Sequence, residues 1–153
     1  MAMSTQGIPN TIERQIEIAA PIERVWALVS GPGWWINEGE IREHEIEQAE
    51  GHAVVHDETH GAFPIETIEL REPVYASFRW LASHDGEHGS AHIPTVVEFT
   101  LEPSDRGVMV RVVETGFAAG DEADAAARAA AHRDNSQGWD IELTAARAHL
   151  ERV

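Results

Sequence analysis

The sequence lacks several features that would each mark a class of protein. It contains no cysteine among its 153 residues, which excludes structural disulfides, thiolate zinc sites and cysteine nucleophiles. No apolar run approaches the roughly 18 residues that a membrane-spanning helix needs, so membrane insertion is not expected. Lysine is also absent, and the 11 arginines face 27 acidic residues, which gives a formal net charge of −16. A charge this negative disfavours nucleic acid and anionic membrane surfaces as partners.

The first ten residues are small and polar, without the basic start and apolar segment of a secretory signal. We therefore expect a cytoplasmic protein. Residues 1–11 are predicted to form a flexible tail and residues 12–153 a single domain. A chain of this length can bury a core without disulfides or metals.

The C-terminal segment, residues 121–151, organises the rest of the chain. It has no proline, one glycine (Gly138) and a dense run of alanines, so its helix propensity is high. Its second half places four apolar residues on one helical face: Trp139, Leu143, Ala146 and Leu150. At about 1.5 Å per residue the helix would be roughly 46 Å long, so it must lie across something broad.

Alternating apolar and polar residues predict six or seven strands in the middle of the chain. Their ranges are 12–18, 41–48, 53–57, 63–71, 74–82, 95–101 and 108–112. The highly charged segment 41–48 is expected at a sheet edge, where charge discourages pairing with other chains. After the first strand, Pro21 begins a short amphipathic helix that Gly31 ends, and the apolar residues 34–36 follow as a loop or a helical turn. These elements predict an α+β fold, with a curved antiparallel sheet around the C-terminal helix.

Seven short motifs follow one another along almost the whole chain. They are 16–21, Val25-Trp26, Trp34-Trp35, Phe78-Arg79-Trp80, 97–103, 114–117 and Gly138-Trp139. In this order and spacing they resemble the START-like (SRPBCC) superfamily, and within it the proteins that share the C-terminal domain of the Hsp90 ATPase activator. The resemblance implies a helix-grip fold: six to seven strands wrapped around the long helix, one or two short helices after strand 1, and an apolar cavity between sheet and helix.

The resemblance leaves function open, because this superfamily includes carriers, receptors and cyclases. Our main hypothesis is non-catalytic binding of a small hydrophobic or amphipathic ligand in the cavity, without a cofactor. One alternative is a cyclase- or hydrolase-like enzyme that uses acid/base residues in the same cavity. Another is a protein-interaction or regulatory module, which an exposed apolar patch around Trp34 and Trp35 would favour. A homodimer is compatible with each hypothesis.

The candidate site residues are mainly apolar, as in most small-molecule sites. The predicted ligand-binding residues are Trp35, Phe63, Trp80, Val97, Phe117, Trp139 and Leu143. Trp26 and Phe99 are expected mainly in the core. The polar candidates are Arg14, His56 and Glu66. Arg14 is the one charged residue on the apolar face of the first strand. Its guanidinium could bind a ligand carboxylate bidentately or be held by an internal acid such as Glu66, and we favour the structural pairing.

Nine histidines raise the question of a metal site. His84, His88 and His92 are spaced by four, as are His56 and His60, which on a helix would align possible ligands. Glycines interrupt the first group, so it is predicted to be a loop, where such spacing has no geometric meaning. We therefore expect no metal, and we assign no catalytic residue.

Overall fold

Seven strands and two helices are formed by the residues that the computed structural model describes, which are 9–59, 61–81, 95–118 and 125–152. The strands are β1 (Thr11–Ile18), β2 (Glu45–Ala49), β3 (His52–Asp57), β4 (Gly61–Arg71), β5 (Tyr75–Trp80), β6 (Val96–Pro103) and β7 (Val108–Thr115). The helices are α1 (Ile22–Val29) and α2 (Ala125–Leu150). This arrangement confirms the predicted α+β helix-grip fold. Of the predicted tail, residues 1–8 lie outside the described residues, and Thr11 already belongs to β1.

All seven strands form one antiparallel sheet in the order β1-β7-β6-β5-β4-β3-β2. The first strand pairs with the last, while β2 forms the opposite edge. Every residue of β2 is exposed, as predicted for a charged edge strand. The strand begins at Glu45 rather than at residue 41, because Ile41 packs against the core and the side chain of His44 is buried.

The inner face of the sheet carries the apolar residue at every second position. In β6 these are Val97, Phe99 and Leu101, and in β7 they are Val108, Val110 and Val112. All six are essentially inaccessible to solvent, and they join one continuous core with α1 and α2. Period-two patterning therefore decides which face of the sheet receives the helix.

Helix α2 lies across this inner face and buries the four residues predicted from the helical spacing, Trp139, Leu143, Ala146 and Leu150. An exposed residue of α2 also contacts β1: Arg14 Nε in the strand donates a hydrogen bond to Asp140 Oδ1 in the helix at 3.0 Å. Arg14 therefore makes a structural ion pair, as expected, but its partner is an acid on the helix and not Glu66. The pair is exposed, so it contributes about 1 kcal/mol or less to stability.

The segment after α1 folds into the core. Gly33 has a φ of +75°, and a Cβ there would lie 2.9 Å from the side chain of Val55, so glycine is required at this close approach. Trp34, Trp35 and Ile36 follow and are all buried. The exposed patch that would have favoured an interaction module is therefore not formed by these tryptophans.

Candidate functional site

A cavity of about 200 Å³ lies between the inner face of the sheet and α2. Four aromatic residues form its apolar walls: Trp35 from the segment after α1, Phe63 from β4, Trp80 from β5 and Trp139 from α2. Its polar lining consists of Asn37, Glu114, Asp134, Asn135 and Glu142. Apolar walls with a few polar groups are the usual composition of a small-molecule site.

The aromatic walls are held by ring-to-ring packing. Trp35 lies at the centre, with ring centroids 5.7 Å from Trp80 and 5.8 Å from Trp139. Phe63 packs edge-on against Trp80 at 5.5 Å. Edge-to-face and tilted pairs at these distances are favourable and restrict rotation of the rings, so the walls are pre-formed.

Glu114 is the more deeply buried of two buried carboxyl groups in the cavity lining, with 1% of its surface exposed against 7% for Glu142. The indole Nε1 of Trp139 donates to its Oε1 at 2.8 Å, and the hydroxyl of Thr95 donates to its Oε2. Asn135 Nδ2 lies 3.4 Å from Oε1 and 3.3 Å from Oε2. All of these donors are neutral. Glu114 is therefore a buried acid that is hydrogen-bonded by neutral groups.

Burial raises the pKa of Glu114 above its usual value of 4.5, because desolvation disfavours the carboxylate. The hydrogen bonds from Thr95, Trp139 and Asn135, together with the nearby His132, offset part of this rise. Sequence reasoning did not select Glu114 as a site residue. The sequence does contain a pattern that identifies it: Val108, Val110 and Val112 occupy alternate positions of one strand face, and Glu114 is the next residue on that inward face.

The raised pKa predicts a specific pH dependence of stability. Between pH 4.5 and the higher folded-state pKa, the folded protein retains the Glu114 proton while the unfolded chain loses it. The stabilisation contributed by Glu114 is therefore complete below pH 4.5 and is lost as the pH rises through the folded-state pKa. The loss is about 1.4 kcal/mol for each unit by which the folded-state pKa exceeds the unfolded-state pKa. Glu114→Gln should therefore gain stability relative to the native chain as pH rises. Chemical denaturation of both proteins from pH 4 to 8 measures this, and a constant difference would contradict it.

Gly138 lies at the cavity in the middle of α2. A mid-helix glycine is unfavourable by about 1 kcal/mol relative to alanine. The cavity-lining residues of α2 include Asn135, Gly138, Trp139 and Glu142, which share one helical face. A Cβ at position 138 would meet no atom within 4 Å. The glycine therefore leaves open the space that a larger side chain would occupy.

A buried polar cluster fixes the segment that carries Trp35. Asp57 Oδ1 lies 2.9 Å from Arg42 Nη2 and 3.0 Å from His44 Nε2. The same His44 nitrogen lies 2.6 Å from the carbonyl oxygen of Ile36. Both neighbours of His44 Nε2 are acceptors, so this nitrogen carries a proton. Asp57 thereby ties the end of β3 to the residue next to Trp35.

The structure separates the predicted ligand-binding residues into two groups. Trp35, Phe63, Trp80 and Trp139 line the cavity. Val97, Phe117 and Leu143 are buried in the core instead, where they support the walls without lining them. Trp26 and Phe99 also belong to the core, as expected.

The three polar candidates all lie outside the cavity lining. Arg14 pairs with Asp140, as described above. His56 is hydrogen-bonded to Glu47 at 3.2 Å on the outer part of the sheet. Glu66 accepts a hydrogen bond from Arg79, its cross-strand neighbour, at 3.1 Å. Outward-facing positions in their strands explain the placement of His56 and Glu66.

Within the described part of the chain, no three His, Asp or Glu side chains are grouped as a metal site would require. The spaced histidines His60, His84, His88 and His92 lie outside the described residues. Neither of the two described helices is both long and apolar enough to cross a membrane.

Comparison with known proteins shows which family and which solved structures the chain resembles. The family described as Activator of Hsp90 ATPase homolog 1-like protein matches residues 19–151. The crystal structure of protein MLL2253 from Mesorhizobium loti is 19% identical, with a TM-score of 0.70 over 94% of this chain and 98% of that one. The solution structure of protein BH1534 from Bacillus halodurans is 21% identical, with a TM-score of 0.64 over 94% and 99%.

A third similar structure is the Aha1 dimer from Colwellia psychrerythraea, at 14% identity and a TM-score of 0.63, covering 93% of this chain and 96% of that one. No curated protein sequence matches the chain. The structural similarities show the shared fold, and the family match spans most of the sequence. The chain therefore belongs to the Activator of Hsp90 ATPase homolog 1-like family of the START-like superfamily, as its motifs predicted.

Proposed function

We propose that this protein binds a small hydrophobic or amphipathic molecule in the cavity between the sheet and α2, without catalysis. The observation that carries the proposal is the combination of four aromatic walls and two buried carboxyl groups, Glu114 and Glu142, around about 200 Å³ of space. That volume is below the ~300–1,000 Å³ of most pockets that hold drug-sized ligands. It suits a small ligand, or one end of a larger one.

The walls supply affinity and the polar groups supply orientation. Each ~100 Å² of apolar ligand surface buried against the rings contributes about 2–3 kcal/mol before the entropy of association is subtracted. Glu114 orients the polar end of the ligand through its charge, since both of its oxygens already accept hydrogen bonds within the protein. The indole N–H of Trp35 is buried and has no hydrogen-bond partner among the described residues, so a ligand oxygen is a suitable acceptor.

Acid/base catalysis is the second candidate function, because a buried carboxyl group with a raised pKa is typical of proton-transfer sites. The hydrogen bonds of Glu114 favour binding over catalysis. Each of its oxygens already accepts two contacts, from Trp139 and Asn135 at Oε1 and from Thr95 and Asn135 at Oε2. A general base needs an oxygen free to receive the substrate proton.

Native mass spectrometry of the purified protein before any organic extraction tests ligand binding directly. We expect an adduct of small mass that disappears on denaturation. We also propose that the chain can form a homodimer, because the Colwellia relative is described as a dimer. The same spectrum reports this assembly through a species of twice the chain mass.

Filling the cavity should remove the adduct without unfolding the protein. Gly138→Leu introduces a side chain where a Cβ meets open space on the cavity-lining face of α2, and it also improves helix propensity by up to about 1 kcal/mol. We expect unchanged or higher stability and loss of ligand. Gly138→Ala is the matched control, since it makes the same propensity change with a much smaller volume. Equal adduct occupancy in the leucine variant and the native chain would contradict binding in this cavity.

A further inference from the structure

The charge of the cavity lining is one-sided. Three of its residues are acids, Glu114, Asp134 and Glu142, and none of the described lining residues is an arginine or a histidine. The formal net charge of −16 adds a long-range field of the same sign. Both the acids of the lining and the net charge of the whole chain would repel an anionic ligand such as a carboxylate or a phosphate ester, and both would attract a cation.

The same lining is rich in aromatic rings. Trp35, Phe63, Trp80 and Trp139 border one small space, and their ring centroids lie 5.5–5.8 Å from those of their neighbours. Aromatic rings attract cations through their electron-rich faces, and cages of several rings recognise alkylated ammonium groups. Rings together with carboxyl groups therefore describe a cation site more specifically than either does alone.

The hydrogen bonds of Glu114 narrow the type of cation. Thr95, Trp139 and Asn135 already donate to both of its oxygens. A primary ammonium ligand would need to displace one of these donors in order to donate its own N–H groups. A quaternary ammonium group has no N–H to place, so it can interact with the carboxylate through charge alone while its methyl groups pack against the rings.

On these grounds, and resting on the proposed function, we infer that the cavity ligand carries an alkylated, quaternary-type ammonium group, held by the aromatic walls and neutralised by Glu114. In this arrangement Glu114 and the ammonium group neutralise each other's charge, which the neutral hydrogen-bond partners of Glu114 cannot do. His132 lies near Glu114, but the side chains that hydrogen-bond to Glu114 among the described residues are neutral. A buried carboxylate without a directly bound cation is unfavourable, and a bound ligand cation supplies that counter-charge.

Three probes of one shape but different charge test this inference. They are choline, its neutral carbon analogue 3,3-dimethylbutan-1-ol and the anion 3,3-dimethylbutanoate, each titrated into the full chain and followed by the NMR signal of its nine equivalent methyl protons. We expect choline to bind about tenfold more tightly than the neutral alcohol, and the anion to show no binding. Equal or tighter binding of the alcohol would overturn the cation inference but leave the proposed function intact. Failure of all three probes to bind would overturn both.

Two acid-to-amide variants distinguish the effect of a carboxyl group in the cavity lining from the effect of the net charge of the chain. Glu114→Gln should bring the affinities of choline and the alcohol to within about twofold of each other. Glu66→Gln changes the net charge equally but lies outside the cavity lining, so it should retain the tenfold preference. A preference for choline that survives Glu114→Gln would overturn the role given to Glu114. If that variant does not fold, Asp134→Asn takes its place, because Asp134 is an exposed lining residue, and it should reduce the preference.

Discussion

Replacing Trp139 by alanine is expected to lower the free energy of unfolding by about 3–5 kcal/mol. The side chain is 4% exposed and packs against both Trp35 and Phe99, at 5.8 and 5.7 Å between ring centroids. Truncation also removes the 2.8 Å hydrogen bond to the buried Glu114. Urea denaturation monitored by circular dichroism measures the loss, and it avoids a readout from the tryptophan fluorescence that the mutation alters.

Two controls separate the contributions of Trp139. Trp139→Phe retains an aromatic ring but not the N–H donor, so it should lose only about 1–3 kcal/mol. Ile141→Ala changes an exposed residue of the same helix and should remain within about 0.5 kcal/mol of the native chain. If Trp139→Ala loses less than about 1.5 kcal/mol, the ring is a cavity wall that contributes little to the core, which contradicts the packing described here.

Replacing Asp57 by alanine is expected to be almost as destabilising, by about 3 kcal/mol. The side chain of Asp57 is 2% exposed, and it contacts both Arg42 and the buried imidazole of His44. Its loss leaves His44 without its carboxylate partner and loosens the segment next to Ile36. We therefore expect weaker ligand binding in addition to lower stability, because Trp35 lies on that segment. Thermal and denaturant unfolding measure the first effect, and titration with choline measures the second.

The chain contains a matched exposed pair for this experiment. Glu47 and His56 are also a carboxylate and a histidine at 3.2 Å, but their side chains are 68% and 41% exposed. Glu47→Ala should change stability by less than about 1 kcal/mol and leave ligand binding unaltered. Similar losses in the two variants would mean that burial does not strengthen the Asp57 cluster.

Local sequence patterns were sufficient for most of the fold. Alternation in β6 and β7 predicted which residues face the helix, and the spacing of Trp139, Leu143, Ala146 and Leu150 predicted the buried face of α2. These patterns work because an amphipathic strand or helix has only one way to bury its apolar face. The charged composition of β2 likewise predicted an edge strand.

The aromatic part of the site was predictable for a related reason. Large apolar residues on inward-facing positions must lie in the interior, and Phe63 and Trp80 occupy such positions in β4 and β5. The sequence could not separate wall from core, however. Phe117 and Leu143 are inward-facing too, but neighbouring side chains fill the space around them.

By itself, the sequence determined the strands, the helices, the family and the set of residues available to the interior, because these depend on local periodicity and short motifs. Only the tertiary structure decided the polar contacts and the cavity. Arg14 meets Asp140 across 126 positions, and Glu114 meets Trp139 across 25. Periodicity specifies the face on which a side chain lies but not the partner brought to it by distant segments. The environment of Glu114, and with it the chemistry of the site, therefore follows from how α2 lies on the sheet.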